Sequence, residues 1–160
     1  MRMGQGVEWA AHVLLVLAWL EDDEPVPTAQ LAAGYDLPPA YLNKQLQALV
    51  RAGLLVSLPG ARGGFRLARP AEKITMMDVV AAIEGPEDAF QCTEIRQRGM
   101  GADSPPSHFR STCAVASAMR RAELAWRREL AAQTVADVRA EADQHAPGAA
   151  GVSRRAFGRD

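Results

Sequence analysis

The 160-residue chain is poor in several features that would each point to a function. It has two cysteines, Cys92 and Cys113. That excludes a disulfide-rich secreted scaffold and a zinc site of four cysteines within one chain. It has little net charge, 18 basic against 19 acidic residues for a net of −1, so any affinity for nucleic acid must come from a local patch. It lacks a long apolar run: Val13–Leu20 is eight residues, where a membrane-spanning helix takes about 20. Arg2 ahead of that run gives a faint likeness to a signal peptide. However, Glu8 and His12 interrupt the stretch before it, and the acidic run Glu21–Glu24 stands where small cleavage-site residues belong. The expectation is a buried first helix in a cytoplasmic protein with no membrane partner, its cysteines reduced or bound to metal. Cys-x-x-Cys, His-Glu-x-x-His and Gly-x-Ser-x-Gly are all absent, which argues against a thiol peroxidase, a metal hydrolase or another enzyme. What remains is an ordinary globular composition, 48% hydrophobic and 23% charged, about one domain in length.

Periodicity and punctuation predict a mainly α fold with a small β-hairpin. Val7–Leu20 reads as one apolar helix. Thr28 caps a short helix, Ala29–Ala33, stopped by Gly34. After Tyr35–Asp36, Pro38–Pro39 open a helix that runs to Ala52, with Leu42, Leu46, Leu49 and Val50 at helical spacing. Leu54–Ser57 and Phe65–Ala68 flank a Gly/Pro loop and predict a hairpin. Thr75 caps a helix over Met76–Ile83. Glu87–Ser111 has no periodicity and reads as mostly loop. One long helix is predicted from Thr112 to about Gln144, with Val115, Met119, Ala122 and Trp126 forming a coiled-coil-like seam. The tail from Ala146 to Asp160 reads as disordered. The expected divisions are 1–84, which holds the first four helices and the hairpin, a loop over 85–111, a long helix over 112–145 and a tail over 146–160.

Helix, short helix, turn, helix and hairpin is the order of a winged helix-turn-helix. Charge agrees. From Leu37 to Ala71 there is no acidic residue, while Lys44, Arg51, Arg62, Arg66 and Arg69 give +5 over 35 residues, the footprint of phosphate binding. The N-terminal part of a recognition helix meets base edges, which exposes Ala40, Tyr41, Asn43, Lys44 and Gln47. Asn and Gln can bond adenine, and Lys can bond guanine or phosphate. Arg62 at the hairpin tip can enter a narrow minor groove. Gly60, Gly63 and Gly64 read chiefly as a tight hairpin; no Lys-Ser/Thr follows them, so they are no nucleotide-binding loop. Thr28, Arg51, Gly63 and Gly64 complete the DNA-binding candidates. A module that uses the winged helix only for protein contacts would lack salt-dependent DNA binding.

The run AYLNKQLQALVRAGLLVSLPGARGGFRLAR, followed by ITMMDVVAAIEG and then Cys92, resembles the IscR/NsrR superfamily of dimeric winged-helix transcription regulators, many of which bind an iron–sulfur cluster. The resemblance covers about residues 1–140. It implies a homodimer held by the long C-terminal helix and bound to double-stranded palindromic operator DNA, with Tyr41, Asn43 and Lys44 matching the recognition helix and Arg62, Gly63 and Gly64 the wing tip. The chain departs from the three-cysteine members. Cys92 and Cys113 match the first and last ligands, the middle cysteine is absent, and Ala116 stands where some members place a histidine. In this the chain looks like the RsrR-type redox-sensing branch.

A 2Fe–2S cluster takes four protein ligands. Glu8 and His12 share one face of the first helix, and Glu8 matches an acidic ligand that relatives donate from the other subunit. The expected metal ligands are therefore Cys92 and Cys113 of one chain with Glu8 and His12 of the other, and His108 is the rival for His12. Replacing thiolates by carboxylate and imidazole makes the site less negative and easier to reduce; His-for-Cys replacement moves potentials from roughly −400 mV into about −150 to +300 mV. The expected function is a repressor whose operator affinity follows cluster redox state, with Trp9, beside Glu8, as a gating residue. Alternatives are a cluster-free regulator switched by thiol oxidation or a small ligand, and a nitric oxide sensor using the same cluster.

Overall fold

The computed structural model describes residues 3–20, 22, 24–60 and 62–159. Arg2, Glu21 and Asp160, named above in the leader-like start, the acidic run and the tail, lie outside the described residues. The chain divides into two compact units. One combines the N-terminal stretch to Pro86 with Leu130 onward, and the other is Glu87–Glu129.

In the first unit, α1 (Gln5–Leu20) buries every residue from Val13 to Leu20. A helix apolar all round must be wrapped on all sides, and α3 (Pro39–Arg51), α4 (Met76–Glu84), α6 (Val135–His145) and α7 (Ala149–Ala156) all pack on it. The core centres on Leu14, Leu31, Leu42, Leu46, Leu49, Leu54, Ile74, Val79 and Val135. Among the described residues no helix is long and apolar enough to cross a membrane.

The helix-turn-helix is α2 (Thr28–Gly34) and α3. Thr28 is not the cap predicted for α2; it is the first helical residue, and Pro27 holds the cap position without a side-chain bond. The cause lies one residue earlier. Val26 pairs with Phe65, exchanging two 2.9 Å backbone hydrogen bonds, and this fixes the chain before α2. Pro39 occupies the first turn of α3, as its fixed φ favours. The hairpin is β1 (Leu55–Leu58) with β2 (Gly64–Leu67), antiparallel, Leu55 opposite Leu67. Each strand is displaced by one residue from the prediction, because Leu54 is buried and its carbonyl accepts from Ala68 N–H outside the ladder. Gly64 has φ +153°, and a Cβ there would lie 2.4 Å from Val26 O. The glycine is therefore required by the close approach of β2 to Val26.

Two C-terminal predictions differ from what is observed. The long helix is two helices, α5 (Ala114–Ala132) and α6. Between them Gln133 O accepts from Met76 N–H (2.8 Å) and Val135 N–H donates to Ile74 O (2.8 Å), so the backbone leaves the helix to pair with the start of α4. Thr134 then restarts it with a capping box: its hydroxyl accepts from Asp137 N–H at 3.1 Å, and Asp137 accepts from Thr134 N–H at 2.9 Å. The tail is not disordered over its described length. It forms α7, and Arg154 donates to Trp19 O (2.8 Å), Arg159 pairs with Asp22 (2.6 Å) and Phe157 stands 3.3 Å from where a Cβ on Gly34 would be. Composition missed it because α7 is held by tertiary contacts at the end of α1 rather than by its own propensity.

The second unit holds the 3₁₀ turns Ile95–Gln97, Gly99–Gly101 and Pro106–Phe109 and the first four turns of α5. Glu87–Ser111 is mostly irregular, as expected.

Hydrogen bonding from Thr134 holds the Asp137 carboxyl below its ordinary range. A lowered folded-state pKa contributes stability above the ordinary carboxylate value, and that contribution is lost as pH falls through the lowered one. Thr134→Ala removes the N-cap of α6 and should lower the melting temperature at neutral pH. In thermal melts followed by circular dichroism, its deficit relative to wild type should shrink on acidification.

Candidate nucleic-acid interface and cysteine site

On α3, Leu42, Leu46 and Leu49 point inward and are buried, which turns the next positions outward. Ala40, Tyr41, Asn43, Lys44 and Arg51 are exposed, and Gln47 and Thr28 are half-buried. Arg62 is exposed at the hairpin tip, where Gly63 N–H closes the turn onto Gly60 O at 2.8 Å. Sequence counted five cations in this stretch, and the fold engages two of them: Arg69 pairs with Asp78 at 3.1 Å, and Arg66 donates to Leu67 O at 3.5 Å. Lys44, Arg51 and Arg62 are the exposed ones.

Glu8 and His12 lie one turn apart on α1, both exposed, in the first unit. Trp9 between them is half-buried, its ring edge-on to Tyr41 of α3 at 6.4 Å between centroids. The His12 ring is 5.5 Å from that of Tyr35, the residue that closes α2 at the turn of the helix-turn-helix. Sequence reasoning did not single out Tyr35, whose only signal was an aromatic ring directly after a stop glycine.

In the second unit Cys92 and Cys113 line one cavity of about 510 Å³, with Phe90, Ile95, Arg96 and Val115. Cys92 is exposed, Cys113 is half-buried, and neither is in a disulfide. The Cys113 thiol is held below its ordinary pKa by backbone hydrogen bonds from Ala116 and Val115 at the start of α5, then by the Arg96 charge; burial and Glu94 oppose this. This favours a thiolate, the form that binds metal. His108 sits exposed on the Pro106–Phe109 turn and does not line that cavity. Among the described residues, no three of His, Cys, Asp and Glu come together as a metal-binding group.

Glu123 on α5 was not foreseen. It accepts from Arg127 Nε (2.6 Å) and Trp126 Nε1 (3.0 Å), while Arg127 also donates to Glu87 O (3.0 Å). Burial pushes its carboxyl up, and the Arg127 and Trp126 bonds outweigh this and bring it below the ordinary value. The group fastens the chain leading to Cys92 onto α5.

The Rrf2 family, described as an iron-dependent transcriptional regulator, matches residues 3–141. The chain belongs to the Rrf2 family. YffB of Lactococcus lactis is 35% identical over 138 residues, 86% of each protein. The HTH-type transcriptional regulator IscR of Photobacterium profundum is 33% identical over 92 residues, 58% of this chain and 54% of that one. Among solved structures, CymR, the global cysteine regulator of B. subtilis, superposes with a TM-score of 0.66 at 22% identity, over 88% of this chain and 98% of CymR. IscR of T. potens superposes at 0.67 and 20% identity over 91% of each. These two likenesses carry the winged-helix fold. As a family member the chain is a DNA-binding transcription regulator and not an enzyme.

Arg62→Ala should weaken operator binding and lower the slope of log affinity against log salt by about 1, the signature of one cation withdrawn from the DNA. Asn43→Ala should instead relax discrimination at one base pair by about 1–3 kcal/mol. Fluorescence anisotropy with operator and mismatched duplexes at several salt concentrations separates the two.

Proposed function

We propose that this Rrf2 regulator works as a homodimer whose operator affinity is switched by the redox state of a 2Fe–2S cluster. Cys92 and Cys113 of one chain and Glu8 and His12 of a second copy would be the ligands. The observation that supports this is the distribution of donors. Two thiols share one cavity in the second unit, whereas an exposed carboxylate and imidazole one turn apart stand on a helix of the first unit. Within one chain's described residues, no such set is complete. The donors fit the group in type, since thiolates and an imidazole are known 2Fe–2S ligands. An exposed apolar stripe on α5, with Val115 62% and Met119 42% exposed, gives the second copy a seam to cover.

When bound, the cluster supplies a one-electron change of charge. The chain's own residues turn a change at α1 into one at the DNA. Trp9 leans on Tyr41 of the recognition helix, and His12 leans on Tyr35 at the turn. Movement of the polar face of α1 therefore reaches α3 from both ends of the turn-helix junction. Operator affinity follows, because half-site contacts demand a fixed recognition-helix position. A cluster-free regulator switched by thiol oxidation is the second reading, favoured by the lowered Cys113 pKa.

Protein purified without oxygen should be brown, hold about two irons and two sulfides per site, and bleach on reduction. Cys92→Ala or Cys113→Ala should abolish iron, and His12→Ala should change spectrum and potential. Trp9→Ala should keep iron and potential but lose the redox dependence of operator affinity. A Trp9→Ala protein that still switches removes the relay. Colourless protein that gains nothing on reconstitution removes the cluster and leaves Cys92 and Cys113 to be tested as a thiol switch.

A further inference from the structure

The loop between the two cysteines is irregular, yet one side chain ties its beginning to its end. Arg96 Nη2 donates to the Glu94 carboxylate at 2.7 Å and to Ser111 O at 3.1 Å, and its Nε also donates to Glu94. Glu94 lies two residues after Cys92, and Ser111 lies two before Cys113. The guanidinium stacks over the Phe109 ring at 5.7 Å. The backbone is locked too. A Cβ on Gly101 would stand 1.7 Å from Arg96 O and 3.5 Å from the Phe109 ring. Glu94 holds a left-handed φ of +51°, uncommon for a residue with a side chain. Arg96 also lines the cavity with both sulfurs.

We propose that Arg96 is a positioning residue that closes the Cys92–Cys113 loop and holds both sulfurs in one metal-binding site. The planar guanidinium suits this because it can bond a carboxylate with two nitrogens, keep a hydrogen for a carbonyl and stack on an aromatic ring at once. Without it, metal binding must close a loop of 20 intervening residues, at an entropic cost that the clamp removes beforehand. Arg98 and Arg110 lie in the same loop with the same charge and are exposed.

The inference deepens the cluster reading and rests on it for its biological meaning, but its test does not need the cluster. Cd(II) is titrated into the reduced, metal-free full-length protein, and thiolate-to-metal absorption is followed. Arg96→Gln should weaken Cd(II) binding by about tenfold or more, the scale of a lost loop closure. Arg96→Lys should recover part of that, and Arg98→Gln should stay within about twofold of wild type, since it removes the same charge without a clamp. Unchanged far-ultraviolet circular dichroism of Arg96→Gln excludes unfolding as the cause; if it fails to fold, Arg96→Lys and Glu94→Gln carry the same comparison. In iron-loaded protein, Arg96→Gln should also release iron to a chelator faster than Arg98→Gln. Equal Cd(II) affinity for wild type and Arg96→Gln, or equal losses in Arg96→Gln and Arg98→Gln, overturns the proposal. Wild type that never holds iron, yet shows the Arg96 effect on Cd(II), overturns the cluster reading and leaves the clamp standing.

Discussion

The burial of α1 on every side is the constraint on which the first unit depends. Eight consecutive buried residues, Val13–Leu20, cannot be satisfied by one neighbour. Each residue moved out of water contributes on the order of 1 to 3 kcal/mol, but only if something covers it. The chain supplies α3 and α4 from upstream and α6 and α7 from downstream of the second unit. That need brings the C-terminal stretch back onto α1. It also accounts for the interruption between α5 and α6, where Gln133–Val135 pairs with Ile74–Met76.

The same helix carries the polar residues of functional interest at its other half. Glu8, Trp9 and His12 occupy the part of α1 that is not fully wrapped. Their side chains face solvent or the helix-turn-helix. Trp9 on Tyr41 and His12 on Tyr35 are contacts between rings of different elements. These two contacts join the exposed half of α1 to both elements of the helix-turn-helix.

Much of the fold was legible in the sequence. The period of Leu42, Leu46 and Leu49, the paired prolines before α3 and the acid-free basic stretch placed the winged helix-turn-helix to within a residue or two. Glu8 and His12 stood out because a charge and an imidazole interrupt an apolar helix, and the two cysteines because there are only two. Where the reading failed, long-range pairing decided. Thr28 lost the capping position to a bridge between Val26 and Phe65, and Thr134 became a helix start because of its bridge to Thr75, 59 positions upstream. The tail became a helix through Trp19, Asp22 and Gly34.

The order of elements, the outward face of α3, the sign of its charge and the scarcity of thiols can all be read from residue types and their spacing, because periodicity, proline and local charge act over a few residues. Which cations are engaged, which rings meet and which groups surround Arg96 depend on long-range folding. Arg69 and Arg62 look alike in a sequence, but one faces Asp78 and the other solvent. Arg96 and Arg98 also look alike, and only the fold sets Glu94, Ser111 and Phe109 around the first. A guanidinium's role follows from the groups within about 3 Å of it, and in an aperiodic loop no pattern of residue types specifies those neighbours.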